Sequence, residues 1–314
     1  MKKSKAGSAR SVMLKVLSVL SAVVFLLSAA YLVTLAREHR NTVALNNELR
    51  GIYHESIEAG EERTFRQVIP NLLFGSALAE ESVNPFGDMP VVVDEPIPND
   101  IPQDVAYELQ PAFVALRDRN PDTVGWITTG CGVDYPVVWR DNSFYLDHDF
   151  DGRSSNAGAI FLDERNSAEM SDDVLLIYGH NMRAGTMFGD LDEYRKFAVL
   201  KDAPIIELHS AWEREPRKYV YFSMFDASMT PTDPSYIKIT QFNFDTPEAK
   251  QAHIDELVNR SMFDLPVDVN ADDQLVCLVT CEYTHDDGRY LLYARELRPE
   301  ETEEDIRAQF AALM

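Results

Sequence analysis

The chain has 314 residues, long enough for a full core with extra segments, and carries 52 acidic against 29 basic residues for a net charge of -23. Such a surface repels phosphates, which argues against nucleic acid as a partner and keeps the protein in solution. Three cysteines are too few for a disulfide scaffold, and their odd number leaves one free or paired with another molecule.

Lys2, Lys3, Lys5, Arg10 and Lys15 precede a run from Val16 to Ala36 without a charged residue. As a helix that run spans roughly 31 Å, about one hydrocarbon core. The basic flank predicts a cytoplasmic tail over residues 1–15, a transmembrane signal anchor over 16–36 and everything after Arg37 outside the cell membrane. Small residues at Ser28-Ala29-Ala30 raise the alternative of a cleaved signal peptide, but the run is long for that and continues past the site.

Residues 37–100 read as a helical stalk to about Glu62, followed by an acidic arm with prolines from Pro85 to Pro102. Val105, Leu109, Phe113 and Leu116 predict an amphipathic helix over Asp104–Arg119, stopped by Asn120-Pro121-Asp122. Strand signals then dominate: Val124–Thr129, Val133–Trp139, Ala157–Leu162, Val174–Tyr178, Ile205–His209, Tyr219–Phe225, Ile237–Phe242, Leu275–Cys281 and Arg289–Leu297. Helices are predicted at Met187–Leu200, Pro247–Phe263 and Glu300–Leu313. Many short strands with few helices point to one mostly-β domain, a barrel or a sandwich, over 101–314.

Leu275–Cys281 is apolar or small on both alternating faces, as in a strand buried on both sides. Cys281 ends it before a polar loop. With a seven-residue loop, Cys281 and Arg289 sit opposite each other on an antiparallel pair, with Cβ atoms about 5 Å apart. A guanidinium there favours thiolate and can hold an oxyanion. Cys277 fits as a buried hydrophobe and Cys131 as incidental in a hairpin turn. Among seven histidines, His180 follows a buried strand and a glycine in "VLLIYGHNM", where a rigid scaffold presents its groups. His285, in the loop after Cys281, is its chief rival. His39 and His54 belong to the stalk, and His209 and His253 are structural or exposed. His148 lies in "DHDFDG", which begins like a calcium loop, but Gly158 falls where the closing acidic ligand should be.

These stretches resemble the class B sortases. "YGHNMRAGTMFGDLDEY" (Tyr178 to Tyr194) is similar to the class B histidine segment, and "LVTC" matches the signature of the cysteine strand at Leu278, Thr280 and Cys281, with Cys277 where the family usually has threonine. "NPDTVGWI", "VDYPVVWRDNSFYLDHDFDG" and "AGAIFLDERN" resemble the strands before the histidine, so the likeness runs from about Ala106 to Leu297. It implies a closed eight-stranded β-barrel with an N-terminal helical extension and a few peripheral helices. It implies a membrane-anchored cysteine transpeptidase outside a Gram-positive-type cell, with His180, Cys281 and Arg289 catalytic. Its partners would be surface proteins carrying a C-terminal sorting signal, cleaved after threonine, and an amine of a peptidoglycan precursor or a pilin lysine. No metal, nucleotide or other cofactor is implied. Asn142 and Leu146 fall on one wall of the signal groove, and Thr232, Tyr236 and Ile237 on a second; Thr280 joins this substrate-binding set. The backbone N–H of Glu282, next to the nucleophile, would share the oxyanion with Arg289. A cysteine peptidase, releasing acid rather than ligating, and a non-catalytic surface protein are the competing readings.

Overall fold

The computed structural model describes residues 5–62, 109–282 and 288–313. The proline-containing arm, residues 104–108 of the expected helix, His285, Asp286 and Asp287 lie outside them.

Helix α1 (Lys5–Glu62) is unbroken, and its sequence contains no proline. The expected anchor and stalk are therefore one rod. Its apolar part is exposed along its length, and the helix is long and apolar enough to cross a membrane. Farther along, Asn46, Leu49 and Tyr53, at three- and four-residue spacing, are buried on the barrel. Tyr53 stacks on Trp126 with ring centroids 4.2 Å apart. The Tyr53 hydroxyl lies 2.8 Å from His209 Nδ1, while His209 Nε2 lies 2.9 Å from the Glu213 carbonyl. A carbonyl only accepts, so Nε2 carries the proton and Tyr53 donates to Nδ1. Helix α2 (Pro111–Arg119) starts at a proline, where no N–H is needed, and buries Phe113 and Leu116 beside α1.

Eight strands close into a barrel: β1 (Thr123–Thr129), β2 (Asp134–Trp139), β3 (Ile160–Leu162), β4 (Val174–Tyr178), then β9 (Leu275–Glu282), β10 (Gly288–Glu296), β8 (Arg217–Ser228) and β7 (Ile205–Ser210), which returns to β1. The pair β5 (Asn181–Met182) and β6 (Thr186–Met187) forms a separate small ribbon. β2 pairs parallel with β3 and β4 parallel with β9; the other barrel pairings are antiparallel. The inner core includes Ile127, Val137, Ile160, Ile177, Leu208, Val220, Leu278 and Leu292, drawing on every barrel strand. A second cluster lies outside the barrel. There Ile254 and Leu257 of helix α4 (Pro247–Arg260) cover Leu176, Cys277, Val279 and Leu291. Burial on both faces is why β4 and β9 read as continuous apolar runs.

The predicted strand at Ile237–Phe242 does not form. Ile237 and Ile239 are buried in the outer cluster with Lys238 exposed between them, so the alternation is real. The backbone touches β4 at its start, where the Val174 N–H donates to the Phe242 carbonyl at 2.9 Å, but joins no ladder, because both edges of β4 are taken by β3 and β9. The helix expected at Met187–Leu200 is instead a 3₁₀ segment, Gly189–Arg195, followed by α3 (Phe197–Asp202). β3 is shorter than the Ala157–Leu162 expectation, because Gly158 turns at φ +59° just before it. Helix α5 (Glu303–Ala311) opens with a capping box between Thr302 and Asp305.

Candidate active site

β9 and β10 pair with Cys281 opposite Arg289 and Glu282 opposite Gly288. The register is the one the sequence predicts. Position 289 has the parity of Leu291 and Tyr293, so Arg289 belongs to the outer face of the barrel. Arg289 is half-buried, and its guanidinium donates to the Gly288 carbonyl at 2.9 Å.

His180 arrives from the neighbouring strand. β4 runs parallel to β9 with Tyr178 beside Val279, and the Gly179 N–H donates to the Val279 carbonyl at 3.2 Å. Both strands therefore deliver their C-terminal ends to one rim, about 5 Å apart. Only glycine fits at 179, since a Cβ there would lie 2.6 Å from the Phe188 ring. After His180 the chain doubles back through β5 and β6, and the Phe188 N–H donates to the His180 carbonyl at 3.0 Å.

The imidazole is held by the segment that contains Leu146. His180 Nε2 lies 2.6 Å from the Leu146 carbonyl. The carbonyl must accept, so Nε2 bears the proton and Nδ1 is the basic nitrogen of the neutral ring. Tyr145 holds this segment to the start of β3 by accepting from the Ala159 N–H at 3.0 Å. A Cβ at Gly158 would lie 3.1 Å from His180 Cδ2 and would collide with the Tyr145 carbonyl.

A polar chain ties this loop to the strands that carry Arg289. Asn181 donates to Asp192 at 2.9 Å, and Arg195 donates to Asp192 at 3.2 Å. Arg195 also donates twice to Asp226, at 2.8 and 2.6 Å, and its guanidinium sits 3.9 Å over the Tyr290 ring. Sequence reading missed Arg195. Nothing about an arginine fifteen residues after the histidine marks it, because its partners lie on β8 and β10.

The other cysteines are poor nucleophile candidates. Burial pushes the thiols of both Cys277 and Cys131 up, away from thiolate. Four other described histidines have structural partners, and the fifth, His39, is exposed on α1. His209 is bonded to Tyr53, His148 donates to the Phe144 carbonyl, His54 meets Asp134, and His253 packs against Phe244. In the "DHDFDG" turn, Asp149 accepts from the N–H groups of Asp151 and Arg153. Asp151 takes a two-pronged contact from Arg119. Among the described residues no group of three or more such side chains could hold a metal ion.

The expected groove residues fall in two places. Leu146 is exposed beside His180, and Asn142 braces the preceding turn, its side chain accepting from the Glu164 N–H at 2.8 Å. Thr232 is exposed and Tyr236 half-buried in the segment after β8, where Arg260 donates to the Tyr236 carbonyl at 3.0 Å. Ile237 and Thr280 are enclosed, at 4% and 1% exposure.

A sequence model of the sortase domain matches residues 129–297 of this chain, and that span contains every one of these positions. The chain belongs to the sortase family. It is 32% identical over 187 residues to the sortase B of Listeria monocytogenes, covering 57% of this chain and 72% of that one. It is 30% identical over 194 residues to the sortase B of Staphylococcus aureus, covering 60% and 76%. The crystal structure of Clostridium perfringens sortase B superposes with a TM-score of 0.53 at 30% identity, over 59% of this chain and 98% of the other. The resemblance to class B sortases and the closed eight-stranded barrel are thus both borne out. As a sortase, the chain is a transpeptidase of the kind that anchors surface proteins, and its apolar N-terminal helix fits membrane association.

Proposed function

We propose that this sortase cleaves a C-terminal sorting signal after threonine and passes the acyl group, through a thioester on Cys281, to an amine. The observation that carries this reading is the pairing of Cys281 with Arg289 at the rim to which β4 delivers His180. The Cys281 thiolate attacks the threonine carbonyl, with the oxyanion held by Arg289 and the Glu282 N–H. The C–N bond then breaks, and imidazolium His180 gives the leaving amine its proton. Nδ1 suits that role because Leu146 holds Nε2. An incoming amine, from a peptidoglycan precursor or a pilin lysine, forms the new amide bond. The C–S bond breaks, thiolate leaves, and His180 takes the amine's proton. The bond energy is kept in the thioester, so the cycle calls for no nucleotide.

Asn142 and Leu146 form one wall of the signal groove in this reading, and Thr232 and Tyr236 the other, backed by buried Ile237 and Thr280. The exported side of the cell membrane is the site of action, with the basic tail in the cytoplasm. The test is to mix the protein with a sorting-signal peptide and an amine and to weigh the products. Amide product from the parent, and no thioester from Cys281→Ala, support the reading. Arg289→Lys should lose on the order of a hundredfold, because an ammonium lacks the planar fork. Release of free acid alone, at any amine concentration, would make the protein a peptidase instead.

A further inference from the structure

Contacts along α1 follow the barrel from one end to the other. Just past the uncharged run that ends at Ala36, Glu38 accepts from the Asn156 side chain at 2.9 Å. Asn156 lies two residues before Gly158, which packs against His180. Two turns on, Asn46 lies 3.9 Å from the sulfur of Met187, the residue before Phe188, whose N–H bonds the His180 carbonyl. Farther out, Tyr53 reaches His209. His209 is at the end of β7 that pairs with the start of β8, Leu208 beside Arg217. The other end of β8, Ser228, pairs with Gly288 at the rim that holds Cys281 and Arg289. Thus α1 meets the catalytic rim first, through Glu38 and Asn46, and reaches the end of β7 that lies away from that rim only later, through Tyr53.

We propose that the catalytic rim faces the lipid bilayer in which α1 is anchored, with the turn Asp151–Asn156 at the level of the lipid headgroups. Helical rise places Glu38 about 3 Å beyond Ala36 and Asn46 about 12 Å beyond Glu38. The headgroup zone is roughly 5–7 Å deep on each side of the hydrocarbon core. His180, held between those two levels, stands within about 15 Å of the hydrocarbon edge. Gly152, Arg153, Ser154 and Asn156 are exposed on the intervening surface. The rod has no proline to act as a hinge, and the Tyr53–Trp126 stack and the Asp134 contacts of Arg50 and His54 fix the barrel on it. The site is therefore built to meet an acyl donor still tethered to the same membrane. That last step rests on the proposed transpeptidation; the orientation does not.

The test uses the full chain in phosphatidylcholine–phosphatidylglycerol vesicles carrying a headgroup-level quencher lipid. A fluorophore is placed by Ser154→Cys, or by Glu215→Cys in the exposed turn at the opposite end, each with Cys131→Ser and Cys281→Ala to leave one reactive thiol. Quenching several-fold stronger at 154 than at 215 is expected; equal quenching, or stronger at 215, overturns the orientation. Separately, a seven-residue polar helical insert after Ala36 in the active chain lifts the barrel by about 10 Å at nearly constant rotation. Transfer from a vesicle-tethered donor should fall about tenfold, with transfer from a soluble peptide unchanged. Equal effects on both donors overturn the tethered-donor inference. If the parent chain processes neither donor, the proposed reaction and the tethered-donor step that rests on it both fail, while the quenching result still decides the orientation.

Discussion

Arg195 grips Asp226 with two hydrogen bonds while lying flat on Tyr290, and so joins the histidine loop to the strand pair that carries Arg289. Hydrogen bonding to Asp226 comes first among the causes that hold its guanidinium more firmly protonated than usual. The pair is partly exposed, which limits its worth to stability to about 1 kcal/mol.

Arg195→Lys should therefore cost little in a urea unfolding midpoint yet lower kcat for peptide transfer about tenfold, with KM nearly unchanged. An ammonium keeps the charge but loses the two-pronged contact and most of the stacking. A proportional loss of stability and activity would assign Arg195 to folding alone.

Gly158→Ala should be damaging out of proportion to one methyl group. The backbone is at φ +59°, and the added carbon meets the Tyr145 carbonyl and the His180 ring. Strain of this kind costs about 1–3 kcal/mol. Relief by moving either neighbour disturbs the Leu146 carbonyl that holds Nε2. Thermal unfolding and transfer kinetics on the same variant check both effects.

The three cysteines should differ in reactivity. Iodoacetamide on the folded protein, followed by peptide mass analysis, should modify Cys281 first. Cys131 should follow slowly and Cys277 only after unfolding, because burial raises both of their thiols. Protection of Cys281 in the folded state would favour a packing role and remove the nucleophile.

Burial lowers the pKa of His209, the base that receives the Tyr53 hydroxyl proton donor. The unfolded chain then binds the proton more readily than the folded one. Stability from this group is full above the ordinary histidine range, near pH 6.5, and is lost as pH falls from there through the lower folded value. His209→Gln should flatten that part of the urea-midpoint profile between pH 7.5 and 5.5. The comparison with the parent cancels His253, which burial shifts in the same direction.

Tyr53→Ala should loosen α1 from the barrel by about 3–5 kcal/mol of packing, since it removes a ring stacked at 4.2 Å on a buried Trp126. Faster hydrogen exchange in residues 45–54, with the β9–β10 amides still protected, is the expected signature.

Much of the site could be read from local pattern alone. Cys281 faces Arg289 because the hairpin between them is short and strand parity is rigid. The loop proves to be five residues rather than seven, since Glu282 and Gly288 also pair, but the register is the same. His180 was legible as a strand-end residue after a glycine. Its meeting with β9 was not, because parallel pairing joins segments about a hundred residues apart and leaves no local mark. The Leu146 carbonyl, the Arg195 bridge and the docking of α1 were hidden for the same reason: each depends on which surfaces the closed barrel brings together. Ile237–Phe242 shows the converse, a strand-like alternation that packs but forms no ladder beyond a single backbone bond from the Val174 N–H to the Phe242 carbonyl, since hydrogen-bonding edges are allotted by the whole sheet. Residue order carried the candidate chemistry and the period of each element; the closing of the barrel settled which of those elements became neighbours, and with them the surroundings of His180 and Arg289.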